Sequence, residues 1–321
     1  MNSYTELKNW RNSTIKLVSN DHFKLNDFHD QLMSNSIQIA IQKVESEWGP
    51  PPTRFAFIVM GSAGRSEQLV WSDQDHGIIY DGSNDYQSYF MKVGTEITHA
   101  LSNVGYEPCD GKVMSSNEQW CKSIKDWNEQ LLDWLTEDKW ETLRNFSIFF
   151  DSRVLTGEET LLHDLKKEVF QKLRENPHLY YRLYENVGKI PKATGVFGQF
   201  LPEQYGSNAG KINLKQAIFF PYVNSLRLLA YVEEIYSSST IDRFDQLPSR
   251  YEEIKKYKED FIRLLHLRVI FQQNAADYEG VHYLELKILT GSDKQELKNI
   301  ARHGRDLFMK TKAIIENRCH Q

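Results

Sequence analysis

Cysteine is nearly missing from this chain. Only Cys109, Cys121 and Cys319 occur in 321 residues, and no C-x-x-C pair is among them. That excludes a disulfide framework and argues against a structural zinc site. Glycine (17) and proline (9) are too scarce for a fibrous or low-complexity protein. Long apolar runs are also missing. The most apolar short ones, Phe55–Met60 and Ala217–Val223, fall far below the ~20 residues that cross a bilayer. Met1 to Lys8 has no apolar core of signal-peptide length, so the expected location is a reducing cytoplasm, with no membrane partner. Nor is there an excess of positive charge: 39 Lys and Arg face 44 Asp and Glu, a net charge of −5. Proteins drawn to phosphate backbones by bulk charge are usually basic, which argues against nucleic acid as a partner.

Aromatics, by contrast, are plentiful: 17 Phe, 16 Tyr and 7 Trp. Such a chain can bury enough apolar surface to offset its ordering entropy, which argues against disorder. At roughly 100–200 residues per domain, the length points to two domains, with one large domain as the alternative.

The hydrophobic pattern changes along the chain. Tyr4 to Glu47 reads as helices, ended by Pro50-Pro51-Pro52, since proline lacks the amide. Phe55 to Met60 is apolar on both faces, as in a buried strand. Gly61-Ser62-Ala63-Gly64 follows as a turn, then Gly77 to Tyr80 as a second strand. Tyr86 to Val104 and Trp120 to Leu143 have helical spacing. Phe146 to Asp151 reads as a third strand. Beyond Gly157 strands are not expected. Helices are expected over Glu159–Arg174, Leu214–Tyr236 and Tyr251–Ala276, with a polar loop over Gln199–Asn213. A last helix is expected from Ser292, where Ser292 and Gln295 have capping-box spacing. The expected class is α+β: a small mixed sheet with helices over residues 1–156, then an all-α bundle over 157–321.

Chemistry concentrates in Gly61-Ser62-Ala63-Gly64-Arg65-Ser66-Glu67 and Ser72-Asp73-Gln74-Asp75-His76. A strand leading into a small-residue turn lets backbone amides approach a phosphate. Ser62 can add a hydroxyl. Asp73 and Asp75 lie two apart, so on extended chain they point to one side. Two carboxylates on one side suit a hard cation such as Mg²⁺. Asp151 is the candidate third acid, because a lone carboxylate closing a buried strand needs a reason. Taken singly, each element is bland: Gly-Ser is usually a turn, and Asp-x-Asp a solvated loop. Arg65 could bind phosphate or pair with Glu67. Lys211 and Lys215, at i and i+4, could face a ligand or form an ordinary solvated face. Cys109, Met114 and Trp120 read as packing residues, and His76 as structural.

The fuller string resembles a family within the DNA polymerase β-like nucleotidyltransferases. It is the type often encoded beside cyclic-nucleotide-binding and CBS domains. It is similar in turn to the uridylyltransferases of nitrogen-signalling PII proteins and to glutamine synthetase adenylyltransferases. Cys109-x-Gly111-x-Val113-Met114-x-x-Asn117, Phe149-Phe150-Asp151-x-Arg153 and Gly210 to Lys215 with Ser225-Leu226-Arg227 extend the resemblance over most of the chain. The resemblance implies a magnesium enzyme with two ions, manganese being possible, held by Asp73, Asp75 and Asp151. Gly61, Ser62 and Arg65 would meet the nucleotide phosphates, and Lys211 and Lys215 of the helical half would bind the nucleotide or the acceptor. The reaction implied is attack of a hydroxyl, on a protein or a small molecule, at the α-phosphorus of a nucleoside triphosphate such as ATP. The alternative is a regulatory module that binds nucleotide without turnover.

Overall fold

Ser3 and Asp21 open the first two helices. The Ser3 hydroxyl accepts the Glu6 amide, and the Asp21 carboxylate accepts those of Phe23 and Lys24. The helices they cap are α1 (Tyr4–Val18) and α2 (His22–Trp48). The computed structural model describes residues 3–273 and 275–319. By its internal contacts the chain divides into Met1–Lys172 and Leu173–Gln321.

In the first unit, β1 (Phe55–Val59) runs into a single helical turn, α3 (Gly61–Gly64). β2 (His76–Tyr80) pairs antiparallel with β1, Phe55 opposite Tyr80 and Val59 opposite His76. α4 (Gln87–Val104) ends at Gly105, whose φ of 110° closes the helix. β3 (Cys121–Ser123) lies parallel to β2, followed by α5 (Ile124–Glu137) and α6 (Trp140–Phe150). β4 (Arg153–Gly157) returns antiparallel to β1, and α7 (Glu159–Glu175) follows. The sheet order is β3-β2-β1-β4. Ala56 to Val59 are fully buried, as a strand apolar on both faces requires. The Trp127 ring packs against those of Trp120, Trp134 and Phe149 and donates its N–H to the Ile78 carbonyl at 2.8 Å.

One expected strand is a helix. Phe146 to Phe150 belongs to α6, with Asp151 as its C-cap. Leu143, Phe146, Ser147 and Phe150 are buried at i, i+3, i+4 and i+7, which is helical spacing. The sheet takes its fourth strand from the next residues, Arg153–Gly157. The stretch expected as one helix from Trp120 is also divided, because Asp138 adopts a left-handed φ of 51° between α5 and α6.

The second unit contains α8 (His178–Val187), α9 (Phe220–Glu233), α10 (Thr240–Gln246), α11 (Glu252–Lys255), α12 (Lys258–Gln272) and α13 (Gly291–Cys319). α9 is central: every residue from Pro221 to Tyr231 is buried. Strands do not stop at Gly157. β5 (Lys211–Asn213) and β6 (Tyr283–Glu285) form a two-stranded antiparallel ribbon within the helical unit. The long helix expected from Leu214 begins instead as a π turn over Lys215–Phe219. Pro221 has no amide to donate into that turn. The helix expected from Tyr251 is broken into α11 and α12. The cap of α13 lies two residues before the expected one: the Thr290 hydroxyl accepts the Asp293 amide and the Asp293 carboxylate accepts the Thr290 amide.

Trp127→Ala removes a fully buried ring and an indole hydrogen bond. It is expected to lower stability by about 3–5 kcal/mol, measured by urea unfolding.

Candidate active site

The site starts with a glycine that has no substitute. Gly61 has φ of +56°, and a Cβ there would lie 2.2 Å from Asp75 Oδ2. The turn therefore seats directly against the acid. Gly64 is equally constrained, since its Cβ would lie 1.9 Å from the Asp151 carbonyl oxygen. The Met60 amide donates to the Asp75 carbonyl at 2.7 Å, tying the start of the turn to the acid-bearing segment.

Residues 73–76 alternate. Asp73 and Asp75 are half-buried, whereas Gln74 and His76 are fully buried. The Gln74 amide group donates to Ser102 Oγ at 2.9 Å and to the carbonyls of Thr98 and Tyr106 at 3.3 Å. The Ser115 amide donates to His76 Nδ1 at 3.1 Å, so the ring proton is on Nε2 and is given to Gln74 Oε1 at 3.0 Å. Burial lowers the His76 pKa to about 3 and keeps the ring neutral. Gln74 and His76 thus anchor the segment from behind while the acids face outward. The Gln74 backbone N–H donates to the Glu107 carbonyl at 2.9 Å, which brings in the 107–113 segment.

That segment brings Cys109, which reads in the sequence as a packing residue, to the two acids. Asp73, Asp75 and Cys109 each offer a donor atom, all within 4.8 Å of one another. Burial, then the Asp75 carboxylate, pushes the Cys109 thiol up to about 12. The thiol is protonated and donates to Asp75. Cys109 and Asp75 lie on different segments of the fold, and no local pattern announces such a contact.

Asp151 is placed differently. It is fully buried at the end of α6, and Arg65 Nη1 donates to its Oδ2 at 2.7 Å. Arg65 Nε donates to Glu67 Oε2 at 2.6 Å. Burial opposes the Arg65 charge, but Glu67 and Asp151 outweigh it and hold its pKa above the ordinary value. Arg65 is thus committed to two carboxylates, and Asp151 is not in the Asp73–Asp75–Cys109 group. Ser62 is half-buried, and its carbonyl accepts the Glu67 amide at 2.8 Å. Arg153 donates to the Ala63 carbonyl at 3.0 Å and to Asp30 of α2 at 2.5 Å, holding the far end of the turn.

The N-terminal helices hold the loop between turn and acids. Asn26 exchanges hydrogen bonds with the Gln68 backbone. Arg11 donates to the Val70 carbonyl at 3.0 Å. His29 Nε2–H donates to the Leu69 carbonyl at 3.0 Å, leaving Nδ1 to accept from the Tyr106 hydroxyl at 2.8 Å. Lys211 and Lys215 belong to the second unit. The Lys211 ammonium donates to Asn208, and that of Lys215 lies 3.2 Å from His282 Nε2 and over the Phe220 and Tyr278 rings.

Arg65→Met strips two buried carboxylates of their shared cation. Breaking such a cluster costs about 3–5 kcal/mol, whereas the triple variant Arg65→Met, Glu67→Gln, Asp151→Asn is expected to regain much of it. Urea midpoints compare the two. His29 gives a pH dependence. Burial, with Arg11 nearby, lowers its pKa to about 3 from the usual 6.5. Below pH 6.5 the unfolded chain takes up a proton that the native state refuses. Stability present above that pH is therefore lost as pH falls, by about 1.4 kcal/mol per unit from this group. Unfolding at pH 7.5 and 5 should show a steeper loss for the wild type than for His29→Gln.

No curated protein matches the chain. Residues 18–141 match the family described as "Putative nucleotidyltransferase DUF294". Residues 177–313 match the "Putative nucleotidyltransferase substrate binding domain". With the Gly61 turn and the paired acids inside the first match, the chain belongs to this nucleotidyltransferase family and carries that family's substrate-binding domain after its nucleotidyltransferase domain.

Proposed function

We propose that the protein moves a nucleoside monophosphate from a nucleoside triphosphate to a hydroxyl acceptor and releases pyrophosphate. The observation behind this is the pair Asp73 and Asp75, facing outward beside a glycine turn that admits no side chain. Carboxylate oxygens suit Mg²⁺, and Mn²⁺ accepts the same donors. Cys109 does not change that preference, since its thiol is protonated and spends its hydrogen on Asp75. Cations held by these acids would stabilise the entering and leaving oxygens of the displacement. The chain's own part is to hold and orient. The first amides of a helical turn have no intrahelical acceptor, so Gly61 and Ser62 can meet phosphate oxygens. Gln74 and His76 keep the acids aimed outward. Lys211 and Lys215 are the proposed cations of the substrate-binding domain. The acceptor oxygen bonds to the α-phosphorus as the bond to pyrophosphate breaks.

One observation favours the silent, nucleotide-binding alternative: Asp151, the third acid of the resemblance, is held by Arg65.

Calorimetry with ATP, UTP, CTP and GTP, with and without Mg²⁺, tests both readings. Magnesium-dependent binding with pyrophosphate release supports the transferase. Binding without release supports the silent module, and no binding at millimolar nucleotide ends both. Asp73→Asn and Asp75→Asn should each lower transfer by about 100-fold or more. Both should stay folded, with thermal stability equal or higher in the absence of metal, because like charges have been relieved. Full activity in either variant contradicts the paired-acid account.

A further inference from the structure

A cavity of about 480 Å³ lies wholly inside the second unit. Its walls are the end of α8, the 188–198 segment, the start of α9 and one face of α13. Four cations line it, Lys192, Lys298, Arg302 and Arg305, and no acid is among the lining residues. In a chain of net charge −5 that bias is local.

The basic face is built, not incidental. Lys298, Arg302 and Arg305 stand at i, i+4 and i+7 on α13, which is one side of a helix. The acids of the same helix are occupied elsewhere. Glu296 pairs with Arg263, Asp306 with Lys310 and Glu316 with Lys312, and Asp293 caps Thr290. The contacts of the cavity cations are different in kind. Arg302 donates to Asn299 at 3.3 Å, and Lys298 lies over the Phe200 ring at 5.4 Å. Among the described residues, none of the four has a carboxylate at ion-pair distance.

Flat apolar surface accompanies this charge. Tyr184 and Phe308 stack at 5.4 Å within the lining, and Phe308 is only 5% exposed. At the rim, Phe197 is 93% exposed on a loop whose ends are tied by Leu201 to Ala193 and Gly195 to Gln199. Guanidinium groups match phosphate geometry, and aromatic rings offer faces to planar groups. The volume lies in the range of small-molecule sites.

We propose that this cavity binds a small organophosphate bearing a planar group. On the transferase reading, on which this role alone rests, that molecule is the acceptor. The site is complete within the substrate-binding domain, so its binding needs neither Mg²⁺ nor the Asp73–Asp75 pair.

Calorimetry on the full chain without Mg²⁺ tests the site, with AMP, adenosine and inorganic phosphate as probes. AMP should bind the wild type more tightly than either fragment. Arg302→Ala with Arg305→Ala should weaken AMP by about tenfold or more, since two charge-assisted contacts are lost. Asp73→Asn should leave AMP binding unchanged. Equal AMP affinity in the double arginine variant overturns the proposal, as does no AMP binding at millimolar concentration, or phosphate binding as tightly as AMP. AMP binding lost in Asp73→Asn but kept in the double variant also overturns it, by moving AMP to the other site. Failure of Mg²⁺–ATP binding alongside intact AMP binding sinks the transferase reading and leaves the cavity standing. The acceptor role is read separately, by labelling a cell extract with α-³²P-ATP. Suppression of label by AMP that added ATP does not relieve supports it, and label unchanged by AMP overturns it.

Discussion

Two carboxylates held close together repel, and the first unit is organised around holding Asp73 and Asp75 in spite of that. Asp75 takes a hydrogen bond from the Cys109 thiol, and its carbonyl takes another from the Met60 amide. The backbone between and after them is secured by Gln74 and His76, which turn the opposite way into fully buried hydrogen bonds. The period of extended chain makes this division possible: outward residues carry charge and inward ones carry anchorage. His76 can serve only while neutral, because its ring must accept at one nitrogen and donate at the other. Its burial enforces that state.

A second clamp acts on the turn. Arg65 joins Glu67, two residues away, to Asp151, 86 residues away. Arg153 crosses from β4 to the Ala63 carbonyl and to α2. Asn26, His29 and Arg11 reach the following loop from the two N-terminal helices. Those helices look in sequence like simple apolar stripes. In the structure they also supply buried polar groups that partner loop backbone, which a loop inside a protein must have. The segment between turn and acids is thereby part of the packed unit.

What the sequence made legible follows from range. Strand β1, the glycine turn, the alternation at Asp73 and Asp75, and α4 are local patterns, and periodicity displays them directly. Phe146 to Phe150 is also local, but five mostly apolar residues fit a buried strand and a buried helix alike. The structure chose the helix and drew its edge strand from the less apolar Arg153–Gly157. The caps of α13 show the same near-degeneracy, since Thr290–Asp293 and Ser292–Gln295 carry the same spacing two residues apart. Partners distant in sequence were not legible at all. Nothing near Arg65 reveals whether it meets phosphate, Glu67 or Asp151, and nothing near Cys109 reveals the two acids beside it. The cavity over α13 depends on a loop a hundred residues upstream and left no motif.

The contact between Gly61 and Asp75 has a genetic consequence. A methyl group at position 61 would lie 2.2 Å from the Asp75 carboxylate oxygen, closer than any real contact. A missense change in the glycine thus displaces the acid without altering it. In a loss-of-function screen, Gly61→Ala should phenocopy Asp75→Asn. A residue with no side chain would then score as though it were part of the charged machinery, because its emptiness is what the carboxylate occupies.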